Sequence, residues 1–157
     1  MACRHRKKDI AEYCLGCGPS TAIYDDCGLN ALHNALGTTD CDGSCPRRSD
    51  LLQCLLDYGV DPSAPDETIQ KLTPLHRAAT NRDFESVKTL LEQEGTDINA
   101  LDADEVTPLW HACTRQSVDA NVLNIIKHLV DKGGTFGSSS RPKGLSGKVT
   151  EVLKGIK

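Results

Sequence analysis

Apolar positions in this chain fall into pairs of short helical stripes, and two of the stripes open with the same phrase. Leu75, Ala78 and Ala79 are spaced i, i+3, i+4 behind Thr73-Pro74. Leu109, Ala112 and Cys113 repeat that spacing behind Thr107-Pro108, with the two threonines 34 residues apart. Each phrase is built as a helix start. A threonine hydroxyl takes a backbone N–H left unpaired in the first turn. Proline fits the first helical position, where no intrahelical N–H bond is lost. The spacing predicts two short helices whose small residues, Ala78, Ala79 and Ala112, let neighbouring helices come close.

A second stripe follows each first one. Phe84, Val87, Leu90 and Leu91 stop at Gly95, and Val122, Leu123, Ile125, Ile126, Leu129 and Val130 stop at Gly133-Gly134. Glycine takes the left-handed conformation that closes many helices. Neither helix of a unit buries its stripe alone, so the units must stack. A weaker copy precedes them. In Gly28-Leu29-Asn30-Ala31-Leu32-His33-Asn34-Ala35-Leu36, Asn30 takes the cap position and Ala31 replaces proline. Leu51, Leu52, Leu55 and Leu56 supply its second helix, with Gly59 as the stop. Between these helices the polar run 37–49 reads as a loop, far longer than the turn Asn81-Arg82-Asp83 of the next unit. The stretches Val60–Lys71 and Thr96–Val106 carry turn residues and acids and read as extended fingers.

The ends differ from the body. Ile10, Tyr13, Cys14 and Cys17 have helical spacing and predict a short helix over the open end of the stack. Gly137-Ser138-Ser139-Ser140, on to Gly144, reads as a flexible linker. Val149, Val152, Leu153 and Ile156 then form one more stripe, with Ser146 as its cap. That helix either closes the stack, as repeat arrays require of their ends, or docks on a partner. The organisation is a capping segment over 1–24, a repeat domain over 25–136 with units at about 25–65, 66–101 and 102–136, and a linker with amphipathic helix over 137–157.

Composition sharpens this picture. Aromatic residues are only 4% of the 157, so the core must come from Leu, Val, Ile and Ala. No apolar run reaches the roughly 18 residues of a membrane span. The basic start Arg4-His5-Arg6-Lys7-Lys8 has no apolar signal core behind it, and no Asn-x-Ser/Thr acceptor occurs. An intracellular protein, cytoplasmic or nuclear, is expected. Net charge is +2 over 1–24, −10 over 25–136 and +4 over 137–157. An acidic body is poorly suited to nucleic acid. It fits either a solvated helical surface or a basic protein partner.

The cysteines are the one candidate for metal chemistry. Of eight, Cys54 and Cys113 lie in helical stripes and are expected to pack as small apolar residues. Cys14-x-x-Cys17 is half of a zinc knuckle, since two thiolates at this spacing reach one ion from a tight turn. Cys41 and Cys45, or Cys3 and His5, would complete it. A single pair is a minimal signal, and the same residues serve equally as a helical cap. Asp40 and Asp42 do not make a calcium loop, because the stretch is too short and lacks a terminal Glu. No phosphate-binding glycine loop and no nucleophile–base–orienter set is present, so catalysis is not expected.

Thr73-Pro74-Leu75-His76, its near copy Thr107-Pro108-Leu109-Trp110, and Leu90-Leu91 followed by Gly95-Thr96-Asp97-Ile98-Asn99-Ala100 resemble the ankyrin repeat. The resemblance covers about residues 25–136, with the first unit degenerate. It implies an all-α solenoid of stacked antiparallel helix pairs with hairpin-like loops projecting to one side. It also implies a non-catalytic module, adaptor or inhibitor, that binds another protein through loop tips and the inner face of the first helices. By position the tips are Asp66, Glu67, Thr68, Gln70, Asp102, Asp104 and Glu105. The inner-helix positions are Asn34, Arg77, Thr80, Asn81, His111, Thr114 and Arg115. Trp110 stands where His76 stands, and either fills core space or presents a ring to a partner. Glu105 stands where the family often has glycine. His33 and His76 are helix-start residues in this reading, and no cofactor is expected beyond the zinc already named.

Overall fold

The computed structural model describes residues 24–37, 46–114, 119–137, 142 and 145–155. Among them are seven α-helices, one 3-10 turn and no strand. The first helices of three repeats are α1 (Ala31–Leu36), α3 (Pro74–Thr80) and α5 (Pro108–Cys113), and the second helices are α2 (Pro46–Asp57), α4 (Phe84–Leu91) and α6 (Ala120–Asp131). α1 packs on α3 and α3 on α5, which makes an inner row. α2 packs on α4 and α4 on α6, which makes an outer row. The two helices of each repeat pack on each other, and α7 (Gly147–Val152) packs on α6.

The starts are the ones the phrase predicts. Asn30, Thr73 and Thr107 have extended backbone, and their side-chain oxygens accept the N–H of His33, His76 and Trp110. Asp83, Asp119 and Ser146 cap α4, α6 and α7 in the same manner. At Gly95 the backbone has φ 88°, and nothing lies within 4 Å of where a Cβ would sit. The glycine is therefore needed for its left-handed conformation and not for space.

An aromatic-poor sequence builds an aliphatic core. The largest fully buried side chains are all Leu or Ile, from Leu32 in α1 to Leu153 beyond α7. Ala35, Ala78, Ala79 and Ala112 are buried in the inner row, where their small size brings the helices together. Cys54 and Cys113 are buried too, as their places in the stripes require. Val149 and Leu153 are fully buried against this core. Of the two roles left open for the last helix, it closes the outer row. No described helix is long and apolar enough to cross a membrane.

The expected loop over 37–49 is corrected at its end, because α2 begins at Pro46. Proline suits a first helical position, and the early start carries Arg48 into the interior. There it pairs with Asp83, both side chains being nearly buried. Asp83 thus uses one oxygen to cap α4 and the other to bind the previous repeat. The next repeat repeats the device at its edge, where Arg82 reaches the cap Asp119 at 3.2 Å with both side chains partly exposed. The expected N-terminal helix through Ile10, Tyr13, Cys14 and Cys17 lies outside the described residues.

The contrast between the two ion pairs is measurable. Arg48→Met leaves the Asp83 carboxylate buried without its counter-charge and costs about 3 kcal/mol of unfolding free energy. Arg82→Met costs less than about 1 kcal/mol, because its pair is screened by water. Urea titration of both variants checks this, and equal losses would remove burial as the explanation.

Candidate partner-binding surface

Each loop that enters an inner helix closes on one aspartate. Asp102 Oδ1 accepts the N–H of Asp104 at 2.9 Å and of Val106 at 3.1 Å, and the Asp102 N–H donates to Val106 O at 3.1 Å. Asp66 does the same one repeat earlier, accepting from the Thr68 N–H, the Thr68 hydroxyl and the Leu72 N–H. In the first repeat Asp25 Oδ1 accepts from the N–H of Cys27 and of Leu29. The second oxygen of each is bound by the inner helix. Asn34 Nδ2 donates to Asp25 at 2.8 Å, Arg77 Nη2 to Asp66 at 3.0 Å, and His111 Nε2 lies 2.6 Å from Asp102. Asn34, Arg77 and His111 hold one equivalent position, four residues past the cap.

Two of the expected tip residues are therefore misplaced by the sequence reading. Asp66 is 2% exposed and Asp102 7%, so they form the base of their loops and not the tips. Arg77 and His111 are occupied in holding them. Asn81 donates to Leu36 O at 2.7 Å and ties the second repeat to the first. Burial by itself would raise the Asp102 carboxyl. The His111 hydrogen bond and the N–H groups of Val106 and Asp104 outweigh it and hold that carboxyl below the usual carboxylate range.

What points outward is Glu67, Asp104 and Glu105, all exposed. Glu105 has φ 57°, and Lys71, its equivalent in the second loop, has φ 50°. The left-handed turn explains why glycine is common there; a side chain in that conformation costs about 1 kcal/mol. Trp110 is half-buried, with its ring edge-on to His111 at 5.8 Å between centroids. It contributes both to packing and to the surface beside His111. Arg115 and the candidate zinc ligands Cys14, Cys17, Cys41 and Cys45 lie outside the described residues.

Asp25 was missed in the sequence. Its signal was present, since it precedes Asn30 by five residues as Asp102 precedes Thr107. Asp66 precedes Thr73 by seven, so the second loop is two residues longer and breaks the register.

The helix-start histidines join the repeats. His33 Nε2 lies 2.7 Å from Leu72 O, and His76 Nε2 lies 3.1 Å from Val106 O. His76, Asp102 and His111 place one ligand-type atom each within 4.8 Å of one another. A metal needs a free lone pair from each ligand. His76 Nδ1 accepts the Thr73 N–H at 3.3 Å, so in the neutral ring the hydrogen sits on Nε2 and goes to Val106. The cluster holds the stack and offers no lone pair at His76. Burial lowers the pKa of His76, and at His33 burial, opposed by the hydrogen bond to Leu72, pushes it from the ordinary 6.5 down to about 4.

The two histidines differ in one respect. His33 Nδ1 lies 2.7 Å from Asn30 Oδ1, and that oxygen already accepts the His33 N–H. Both ring nitrogens thus face acceptors, and a neutral ring carries one hydrogen. A threonine hydroxyl, as at Thr73, can supply the missing one.

A family model described as ankyrin repeats (3 copies) matches residues 1–102 and again 44–140. Alpha-latrocrustotoxin-Lt1a of Latrodectus tredecimguttatus is 28% identical over 106 residues, which is 65% of this chain and 7% of that protein. An ankyrin repeat-containing protein of Schizosaccharomyces pombe is 34% identical over 77 residues, 49% of this chain and 35% of that protein. The chain thus spans a small fraction of the first relative and about a third of the second.

Two outcomes follow from the histidines. Asn30→Thr supplies the missing hydrogen and stabilises the fold by about 1 kcal/mol, read as a raised urea midpoint. Acid destabilises the fold in a defined window. The unfolded chain binds a proton at His33 near the ordinary 6.5, and the folded chain only near 4. The stabilisation is complete above pH 6.5 and is lost as pH falls towards 4, about 3 kcal/mol from this residue. Asp102, with its lowered carboxyl, loses its share only below 3.8. Unfolding free energies at pH 7.5 and pH 5 test this; a flat profile would show that the histidines bind protons equally well in the fold.

Proposed function

The chain belongs to the ankyrin repeat family, and we propose that it is a non-catalytic module, an adaptor or an inhibitor, that binds another protein with a basic surface. Ankyrin repeats are in general protein–protein interaction modules. The observation that carries the reading is the internal closure of all three loops by Asp25, Asp66 and Asp102. Loops fixed from within lose little freedom on binding. Their closing groups are spent on the fold. Asp25 and Asp26 are exposed on the first loop, and Glu67, Asp104 and Glu105 on the second and third. With Trp110 and His111 beside them, these form one side of the second and third repeats.

The acidic body supports a basic partner and disfavours nucleic acid, whose phosphates it would repel. The basic start without an apolar signal core and the lack of an Asn-x-Ser/Thr acceptor support the cytoplasm or nucleus.

Charge reversal tests the surface. Glu67→Lys, Asp104→Lys and Glu105→Lys together leave the fold intact, since all three side chains are exposed, and weaken capture of a partner at least tenfold, more at low salt than at high salt. Unchanged capture by the triple variant would take the loops out of the binding surface.

A further inference from the structure

Ile69 is the most exposed large apolar side chain among the described residues, at 95%, against 49% for Leu101 and 43% for Tyr58. An isolated apolar residue on a surface is ordinary. This one sits on a loop two residues longer than its counterparts, which close from aspartate to cap in five residues where this one takes seven. The longer loop is ordered around it. The Thr68 hydroxyl donates to Asp66 at 2.6 Å and accepts the Gln70 N–H at 3.3 Å. The Lys71 N–H donates to Thr68 O at 3.2 Å, and Gln70 O accepts the Ala103 N–H of the next loop at 3.0 Å. Ile69 is thus held on a braced apex while its own side chain touches almost nothing. A scaffold role would bury it, and a purely solvated loop would not need the bracing.

We propose that Ile69 is the anchor of the interaction surface, inserting into an apolar pocket of a protein partner whose rim is basic. The basic rim follows from the charges that flank the apex. Glu67, Asp104 and Glu105 are exposed on this loop and the next, which the Ala103 N–H and Gln70 O join, with Lys71 the exposed cation of this loop among the described residues. A branched side chain presented rigidly gains its burial without first paying for loop order, and the acids around it set orientation and approach. The inference rests on the protein-binding function proposed above and adds which residue anchors it and what the partner's pocket must be.

The test uses the full chain with the photo-cross-linker p-benzoylphenylalanine at position 70 or 105, and at the exposed outer-helix position 127 as control. The protein captured from cell extract is then purified, and its affinity is measured against the wild type, Ile69→Val, Ile69→Ala and Ile69→Asp. Because the side chain is exposed, thermal midpoints of these variants stay at the wild-type value. Expected is a loss of at least tenfold for Ala, a larger loss for Asp, and a change under about threefold for Val. Binding by Ile69→Asp as tight as the wild type, with loss only in the Glu67/Asp104/Glu105 variant, overturns the anchor and leaves the protein-binding function standing. No capture above the control at either loop position overturns both.

Discussion

One hydrogen bond, made twice, sets the register of this stack. His33 and His76 each extend Nε2 to the carbonyl just before the next helix cap, at Leu72 and at Val106. The same rings sit at the third position of their own helices, so each histidine locks a helix start to the loop of its neighbour. The bond requires a neutral, buried imidazole, which burial favours. In the third repeat Trp110 holds the equivalent place and the bond is absent. There the Thr107 hydroxyl itself donates to Thr135 O at 2.6 Å. The chain of histidine bonds thus ends at the start of the third repeat, and α7 closes the far end through the outer row.

Around that register the polar residues sort by depth. Asp66 and Asp102 close their loops from inside, their oxygens serving backbone N–H groups from several residues at once, while Asp25 at the end of the stack does so from an exposed position. An acid that meets a partner must be outside. Asp66 and Glu67 are adjacent in sequence and fall on opposite sides of this division. So do Asp102 and Asp104. The net acidity of the body is therefore a poor measure of the acidity that a partner meets, since Asp66, Asp83 and Asp102 are turned inward.

This is also where the sequence stops being legible. Caps, apolar stripes and glycine stops are local, and they placed six helices and their starts within a few residues. Pairings between repeats depend on how far one unit is displaced over the next. Nothing in the residues near Arg48 says that it meets Asp83, and a polar run before it read as loop to Ser49. The buried roles of Asp66 and Asp102 were hidden for a related reason, because turn composition marks a loop and not which of its acids faces inward. Asp25 was recoverable from its spacing to Asn30. Asp66 was not, because two extra residues shift it. Those two residues also carry the feature least expected of a soluble loop, an isoleucine almost wholly in water.

The joints of the stack are unequal in strength. Between the second and third repeats, Asn99 Oδ1 accepts the Thr135 N–H at 2.7 Å and its Nδ2 donates to Gly133 O at 3.2 Å. Between the first and second, Ser63 does this work with one hydroxyl, donating to Gly95 O and accepting from Asp97 N–H. The first repeat also caps with Asn30, which crowds an acceptor against His33, and lacks the proline that pre-forms α3 and α5. Against this stands the buried Arg48–Asp83 pair, but desolvation offsets most of such a pair's attraction. In a linear array, where stability is a sum over units and joints, these terms weaken the first unit, while Asn81 on Leu36 O and His33 on Leu72 O hold its joint to the second repeat. The loop of Ile69 lies at that joint, with the Glu67 N–H on Gly28 O at 2.8 Å and Leu72 O at His33, so unfolding of the first unit would release one side of this loop and leave Asp104 and Glu105 of the third repeat in place.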